Sequence, residues 1–397
     1  MASLIVKIDY PNIPQQIEDI GGYNNAYVLV YLGGQPAMKF WAPVRDGRIS
    51  HESLHQTLVK TADKEFLRIW LENFLGKEET HKLDVPAHLA TIAICTRDRP
   101  ADLERCLRAI QRLPDDGQEV LVVDSCSTTD QTREIAESNP GVRYVREKQP
   151  GLNRARNRAI QEARFPIVAF CDDDAQPEAG WLRALTKPFS DPTVMCVTGL
   201  TLPIELETRA QEWFERYNSF GRGFRRKDFD KNNLHPLMAG RVGAGANMAM
   251  RAELVNLFGP FDEALDAGTP AYSGGDTEMY TRLLASGYHI IYEPRAISWH
   301  RHRREWRDLR KTVYGYGVGT YAVWTKKLVL ENEFSAIIFA AYWFIFYQLP
   351  ALLRSFLQLP GHTPLDLLIA ELTGCLAGPW AYFRSRRLTT PVKRRND

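Results

Sequence analysis

The chain has 397 residues, with 50 lysines and arginines against 48 aspartates and glutamates, and 44% of its residues are hydrophobic. This length and ordinary composition suit a globular protein of two or three domains. The nearly balanced charge singles out no partner, and we expect no nucleic-acid partner. The six cysteines form no CxxC pair, so we expect reduced thiols and a cytosolic catalytic part. Residues 1–10 lack a sustained apolar core and predict no signal peptide.

The first segment, residues 1–86, is predicted to form a small α+β accessory domain. Residues 26–32 and 35–41 flank Gly33 and Gly34, a pattern typical of a β-hairpin. Residues 52–75 carry apolar side chains at helical spacing. The segment contains no motif with an evident chemical role, so we expect the chemistry to lie further along the chain.

From about Leu89, predicted strands alternate with predicted helices. The strands are expected at residues 91–95, 119–123, 142–145, 165–171 and 194–198, and the helices at residues 101–112, 131–137 and 153–163. This alternation predicts an α/β fold with a mostly parallel sheet flanked by helices. Such sheets bind ligands beyond the carboxyl ends of their strands. Polar residues follow three of the predicted strands, so we expect a site at that edge.

Three consecutive aspartates, Asp172, Asp173 and Asp174, directly follow one of these strands. Carboxylates this close raise one another's pKa unless a cation lies among them. Oxygen ligands of this kind suit Mg²⁺ or Mn²⁺. The alternative is a solvated acidic turn that caps the next helix. The triplet therefore predicts a divalent-metal site, with that turn as the competing interpretation.

The last segment, residues 331–397, is predicted to be an apolar, membrane-associated helical tail with a basic C-terminus. Residues 334–353 form an apolar run about long enough to span a bilayer, and residues 365–383 form a second apolar stretch. Aromatic residues and flanking basic residues favour membrane contact at the cytoplasmic face. The two stretches could span as a hairpin or lie in the interface. Buried helices of a soluble protein are the alternative.

Seven motifs occur in an order that resembles the family-2 glycosyltransferases of the GT-A fold. They lie at residues 96–100, 122–132, 151–158, 171–177 (the DXD motif), 243–251, 274–278 and 299–303. The resemblance covers about residues 89–321. It implies a GT-A domain over residues 87–330, a nucleotide-sugar donor linked to UDP, GDP or dTDP, a Mn²⁺ or Mg²⁺ cofactor, and hexosyl transfer with inversion.

The resemblance also implies a catalytic base, Asp276, which would take the proton of the acceptor hydroxyl. Many family members have Glu directly before this position, where this chain has Gly275, and that departure leaves Glu278 as a lesser candidate. The acceptor or sugar pocket is assigned to Gly245, Asn247, Gly275 and Glu278. The alternatives are a helix cap at Asp276 and a plain turn over residues 243–247.

The donor and metal assignments follow from the same resemblance. The predicted donor-binding residues are Thr96, Arg97, Asp124, Arg154, Arg158, Asp172 and Asp173, with the two arginines directed at the diphosphate. The predicted metal ligands are Asp174, His300 and His302, and the two histidines alternate on an extended segment and so point the same way. The alternatives are a helix cap at Asp124, loop surface, a solvated helix face and a basic surface patch.

These observations predict a metal-dependent inverting glycosyltransferase that acts on a carbohydrate or lipid-linked acceptor in cell-envelope, polysaccharide or glycolipid synthesis. One alternative is a sugar-phosphate nucleotidyltransferase, but residues 96–100 contain no glycine where that class needs a Gly-rich loop. Another is a non-catalytic sugar-binding protein on the same fold. Such a protein would be expected to lose Asp174 or Asp276, and the chain has both.

Overall fold

The computed structural model describes residues 2–76 and 87–389. The predicted domain boundary at residue 86 and the last part of the predicted basic tail, residues 390–397, lie outside the described residues. The division into residues 1–86, 87–330 and 331–397 therefore stays a prediction.

The N-terminal part contains a three-stranded sheet and two helices. Its elements are β1 (Ser3–Asp9), β2 (Gln16–Ile17), β3 (Asn25–Leu32), β4 (Gln35–Pro43), β5 (Ile49–Ser50), α1 (His51–Thr61) and α2 (Lys64–Phe74). The expected hairpin is β3 and β4, which pair antiparallel, while β1 pairs with β3 in parallel. The helical stretch expected over residues 52–75 is divided in two, because Asp63 caps α2 by accepting the Phe66 N–H.

A nine-stranded sheet forms the centre of the molecule. Its strands are β6 (Ala90–Thr96), β7 (Glu119–Ser125), β8 (Val142–Glu147), β9 (Ile167–Cys171), β10 (Ala175–Pro177), β11 (Val194–Pro203), β12 (Lys227–Phe229), β13 (Asn247–Arg251) and β14 (His289–His300). The strand order is β10-β14-β11-β13-β9-β6-β7-β8, with β12 paired to β14. Six strands run in one direction, and β10, β12 and β13 oppose them. The prediction of a mostly parallel sheet is confirmed.

Helices cover both faces of this sheet. They are α3 (Pro100–Ile110), α4 (Gln131–Ser138), α5 (Leu152–Glu162), α6 (Trp181–Thr186), α7 (Arg209–Tyr217), α8 (Leu254–Phe258) and α9 (Gly275–Ala285). One apolar cluster joins α3 and α6 to the sheet, and a second joins α5 and α9 to it. This burial on both faces explains why the central strands are nearly continuous apolar runs.

The N-terminal sheet packs directly on the central sheet. Tyr27 and Leu29 of β3 share an apolar cluster with Leu200 and Leu202 of β11 and with Tyr292 of β14. All five side chains are nearly inaccessible to solvent. The two sheets therefore share a buried interface.

The C-terminal part contains α10 (Trp306–Leu330), α11 (Ser335–Trp343), α12 (Leu349–Phe356) and α13 (Leu365–Thr389). A π-helical turn, Phe344–Gln348, joins α11 to α12. Together they form one helix, Ser335–Phe356, that is long and apolar enough to cross a membrane, the only such helix among the described residues. Ile338, Phe346 and Phe356 are among its exposed side chains. The apolar run expected over residues 334–353 is thus a largely exposed helix.

Helix α13 packs closely against α10. A Cβ atom on Gly374 would lie 2.2 Å from the Tyr314 carbonyl oxygen, and one on Gly317 would lie 2.3 Å from that of Glu371. Only glycine permits two helix backbones to approach this closely. The opposite side of α13 exposes Leu376 and Trp380. One side of α13 is therefore packed against α10, and the other presents apolar side chains to the surroundings.

Candidate functional site

A cavity of about 740 Å³ lies beside the carboxyl end of β9 and extends to the C-terminal helices. Asp172, Arg156 and Asp276 contribute charged groups to its wall. Aromatic side chains also line it, namely Trp213, Tyr217, Phe220, Tyr316, Trp324, Phe339, Tyr342, Trp343 and Tyr347. The cavity thus combines an acidic and basic region with apolar aromatic walls, as small-molecule sites commonly do.

Two carboxylates and one imidazole meet beside this cavity and could hold a metal ion. The ligand atoms of Asp172, Asp174 and His300 all lie within 4.8 Å of one another. The sheet register brings them together, because β10 pairs antiparallel with β14 and places Ala175 opposite His300. Asp174 and His300 therefore meet although they lie far apart in the sequence, with 3.1 Å between Oδ1 and Nε2.

Arg99 binds two of the three aspartates. Its guanidinium donates to Asp173 Oδ1 at 2.6 Å and to Asp174 Oδ2 at 2.7 Å. Thr96 donates its hydroxyl to the other Asp173 oxygen at 2.7 Å. Arg97, the neighbour that the sequence singled out, is 42% exposed and pairs with Asp98. Sequence reasoning missed Arg99, although its position just before Pro100, the first residue of α3, directs it to the strand ends.

The aspartates differ in their ionisation. Burial acts to raise the pKa of Asp174, but His300, Arg99 and Arg303 hold that pKa well below its usual range. Burial outweighs Arg99 at Asp173 and raises its pKa to about 7. Burial and the neighbouring Asp174 also raise the pKa of Asp172. Asp174 is therefore the firmly ionised member of the three. A cation that approaches the cluster would lower the raised pKa of Asp172 and of Asp173, so both carboxyl groups would lose protons more readily.

Asp276 lies at the start of α9 and faces the cavity. Its Oδ2 accepts the Gly245 N–H at 2.8 Å, and its Oδ1 accepts the Thr277 N–H at 2.7 Å. A Cβ atom on Gly245 would lie 2.8 Å from both Asp276 Oδ2 and an Arg156 nitrogen. The absence of a side chain at Gly245 therefore lets the carboxylate and the guanidinium approach the same point.

Arg156 is the arginine of α5 that reaches the cavity. It donates to Asp266 Oδ2 at 2.8 Å and to Asn153 Oδ1 at 3.2 Å. Arg154 and Arg158, the predicted diphosphate contacts, pair instead with Glu263 at 3.3 Å and Glu162 at 2.9 Å. The spacing of four showed correctly that Arg154 and Arg158 share a helix face, but it could not show which face meets the site. The diphosphate role of these two arginines stays a prediction.

The polar side-chain atoms of two other predicted site residues, Asp124 and Asn247, all form hydrogen bonds within the protein. Asp124 is fully buried and accepts the Ser127 N–H and the Tyr144 hydroxyl, each at 2.7 Å. Asn247 is also fully buried, where it accepts the Trp181 indole N–H at 2.8 Å and donates to two backbone carbonyls. Asn247 thereby ties β13 to its neighbours. Their assigned ligand contacts remain predictions.

Glu278 and His302 lie one layer behind the residues that face the cavity. Glu278 is fully buried and pairs with Lys326 and Arg282, each at 2.8 Å. His302 contacts His300 and Glu215 through its two ring nitrogens, each at 3.3 Å. Neither belongs to the group of side chains whose ligand atoms converge around Asp174.

The chain matches a family model described as "Glycosyl transferase family 2" over residues 91–255. The chain belongs to glycosyltransferase family 2. The matched range contains β6 to β9, the aspartate triplet and Gly245. The site described above therefore lies largely within the part of the chain that defines the family.

Two relatives and one solved structure show how far the likeness extends. The pre-mycofactocin glycosyltransferase of Mycobacterium tuberculosis is 27% identical over 244 residues, which cover 60% of this chain and 48% of that relative. Glycosyltransferase AglE of Haloferax volcanii is 29% identical over 245 residues, 59% of this chain and 73% of the relative. The match thus spans about half the length of the first relative. The mannosyltransferase PcManGT of Pyrobaculum calidifontis, solved with GDP-Man and Mn²⁺, is 20% identical with a TM-score of 0.45, covering 81% of this chain and 80% of that one.

The structure explains why this family-2 glycosyltransferase has glycine at position 275. A Cβ atom there would lie 2.2 Å from Asn153 Nδ2 and 2.5 Å from Asp266 Oδ2. Both of those side chains hold Arg156. No side chain, and therefore no glutamate, fits at Gly275 while Arg156 keeps its present partners.

Proposed function

We propose that this family-2 glycosyltransferase transfers a sugar from a nucleotide-sugar donor to an acceptor hydroxyl, with inversion and with the help of a divalent cation. One observation carries the proposal. Asp172, one of the three candidate metal ligands, lines the same cavity as Asp276. This arrangement supplies a place for a cation and a base beside one substrate space.

The side chains present fit a Mn²⁺ or Mg²⁺ ion. Asp172 and Asp174 offer the oxygen ligands that both ions take, and the imidazole of His300 suits Mn²⁺ better than Mg²⁺. Asp174 is kept ionised, as a metal ligand must be. A cation bound there would offset the negative charge that develops on the departing nucleoside diphosphate.

Asp276 would act as the general base. The acceptor oxygen forms a bond to the anomeric carbon while the bond from that carbon to the diphosphate oxygen breaks, and Asp276 takes the hydroxyl proton. The Gly245 N–H holds one carboxylate oxygen in place. Attack from the side opposite the leaving group inverts the anomeric configuration.

The aromatic walls favour an acceptor with an apolar part, such as a lipid-linked sugar. Tyr342 and Trp343 line the cavity, while Ile338 and Phe346 of the same helix are exposed. A helix that packs on the catalytic part with one side and exposes an apolar side suits a position in the membrane interface. We therefore propose a position at a membrane, and the free cysteines fit its cytoplasmic face.

The test is release of nucleoside diphosphate from a panel of UDP-, GDP- and dTDP-sugars with Mn²⁺ or Mg²⁺. Asp276→Asn should keep donor binding and lower turnover by about a hundred- to ten-thousand-fold, since general-base catalysis contributes that much. The control is Glu253→Gln, an exposed carboxylate at the start of α8, which should retain full activity. Equal turnover of Asp276→Asn and wild type would overturn the assignment. Release of pyrophosphate from a nucleoside triphosphate and a sugar phosphate would indicate a nucleotidyltransferase instead.

A further inference from the structure

A buried chain of polar side chains runs from the candidate metal site to the N-terminal sheet. His300 Nε2 faces Asp174 at 3.1 Å, and His300 Nδ1 faces His302 Nδ1 at 3.3 Å. His302 Nε2 contacts Glu215 Oε2 at 3.3 Å. The other oxygen of Glu215, Oε1, accepts from the Tyr27 hydroxyl at 2.9 Å and from the Lys39 ammonium. Tyr27 and Lys39 belong to β3 and β4.

The rings in this chain are fixed in place. His300, His302 and Glu215 are each at least nine-tenths buried. Phe214 packs against His302 with ring centroids 4.6 Å apart, and Phe220 packs edge-on against His300 at 5.2 Å. Close packing leaves little room for the rings to turn, so the contacts of each ring nitrogen are set by its position.

The partners determine which nitrogen carries each proton. A carboxylate only accepts hydrogen bonds, so His302 Nε2 must carry the proton that Glu215 accepts. Neutral His302 then has a bare Nδ1, which accepts the Nδ1–H of His300. Asp174 is also an ionised carboxylate, so in the metal-free protein His300 Nε2 donates to it and the ring carries a proton on both nitrogens. A cation that displaces the Nε2 proton to solvent leaves neutral His300 with its proton on Nδ1, where His302 accepts it, and with a bare Nε2 directed at Asp172 and Asp174. A bare imidazole nitrogen is the form that binds a metal ion.

We propose that Glu215, held by Tyr27 and Lys39 of the N-terminal sheet, is a positioning residue that fixes His300 in its metal-binding tautomer through His302. The proposal rests on the proposed function, because it assumes that a divalent cation binds at Asp172, Asp174 and His300. Partners behind a metal-binding histidine orient the ring and set its tautomer in many metal sites. The N-terminal sheet, which carries no motif of its own, thereby supports the metal site from behind.

We call the hydrogen-bonded chain from Glu215 through His302 to His300 the relay. Glu215→Gln tests it because the neighbouring donors fix the orientation of the new side-chain amide. Lys39 and Tyr27 both donate to the Oε1 position, so the amide oxygen belongs there. The amide NH₂ group then faces His302 Nε2 and donates to it, so His302 carries its proton on Nδ1 and donates to His300 Nδ1. Neutral His300 then keeps its single proton on Nε2. The variant changes few atoms, yet it should remove the electron pair that His300 offers the metal.

The experiment measures Mn²⁺ binding to the full chain. Titration monitored by electron paramagnetic resonance gives the affinity, and pulsed electron paramagnetic resonance detects coupling of the bound Mn²⁺ to ¹⁴N. Wild type should show the nitrogen coupling, and His300→Ala should lose it. Glu215→Gln should bind Mn²⁺ about 10- to 100-fold more weakly and lose the coupling, the usual effect of removing such a partner. Lys39→Met, which takes away one of the donors that hold Glu215, should lower the affinity by about tenfold.

The matched control is Glu178→Gln. Glu178 also joins the two parts of the molecule, since it accepts from Lys7 and from the Trp299 indole N–H, each at 2.8 Å, but it lies outside the relay. It should leave Mn²⁺ affinity and nitrogen coupling unchanged.

The possible failures are distinguishable. Absence of nitrogen coupling in wild type would overturn the metal site and the relay together. The relay alone would be overturned if the nitrogen coupling disappears in His300→Ala while Glu215→Gln keeps both the full coupling and the wild-type affinity for Mn²⁺. If Glu215→Gln does not fold, unchanged affinity in Lys39→Met would overturn it equally. A loss of affinity in Glu178→Gln as large as that in Glu215→Gln would show that only the contact between the two parts matters.

Discussion

Replacing Glu278 with glutamine should unfold the protein at lower temperature without removing a catalytic group. Glu278 is fully buried between Lys326 and Arg282, so the change leaves two cations without their shared counter-charge. Breaking a buried pair in this way costs about 3–5 kcal/mol. Lys326 keeps Asp262 at 2.9 Å, and Arg282 keeps backbone carbonyls of residues 258–260, so we expect about 3 kcal/mol. At about 2.1 cal/mol/K per residue over 397 residues, that corresponds to a fall of roughly 4 °C in Tm.

The assay compares thermal unfolding with nucleoside diphosphate release at a temperature where all variants are folded. Glu278→Gln should lower Tm and retain most turnover, whereas Asp276→Asn, two residues earlier, should keep its Tm and lose turnover. The reasoning is refuted if Glu278→Gln melts with wild type and is inactive, because Glu278 would then be the base.

Three further outcomes are expected. Gly275→Ala should lower the free energy of unfolding by about 1–3 kcal/mol through overpacking, as measured by urea unfolding. Gly240→Ala is the control and should not, because its Cβ would meet other atoms only at 3.9 Å. Equal stability of the two variants would contradict the packing argument. The raised pKa of Asp173 means that the folded state holds its proton more tightly between about pH 4 and 7. The free energy of unfolding of the EDTA-treated protein should therefore fall across that window by up to about 1.4 kcal/mol per pH unit, and Asp173→Asn should flatten the slope; an unchanged slope would contradict it. Phe346→Asp should weaken flotation with anionic phospholipid vesicles, and vesicle binding equal to that of wild type would count against an interfacial helix.

The sequence was sufficient to predict the α/β alternation, because buried parallel strands are short apolar runs that end in polar residues. The aspartate triplet after β9 was found by this signal alone. The antiparallel course of β13 and the pairing of β10 with β14 carry no comparable local signal. Those pairings place His300 beside Asp174, so only the resemblance to known glycosyltransferases could predict that the two meet.

The sequence also could not show which face of a helix meets the site. Spacing along α5 showed that Arg154 and Arg158 share a face, but the partner of each face depends on tertiary packing, and Arg156 is the residue that enters the cavity. For the same reason Glu278 could not be recognised as a partner of Lys326, which lies on α10. Arg99 is the exception, since a basic residue just ahead of a helix and beside two strand ends is a signal that can be read.

The cavity walls have a consequence for the order in which the enzyme becomes active. Asp172 belongs to the part that matches the family model, whereas Leu367 and Cys375 of α13 form another part of the same wall. A ribosome releases the first long before the second, and domains of growing chains fold as they emerge. A nascent chain would therefore form the strands around its aspartate triplet early but complete the wall of the cavity only when α13 docks on α10. On the proposed function, sugar transfer begins only after translation has passed α13.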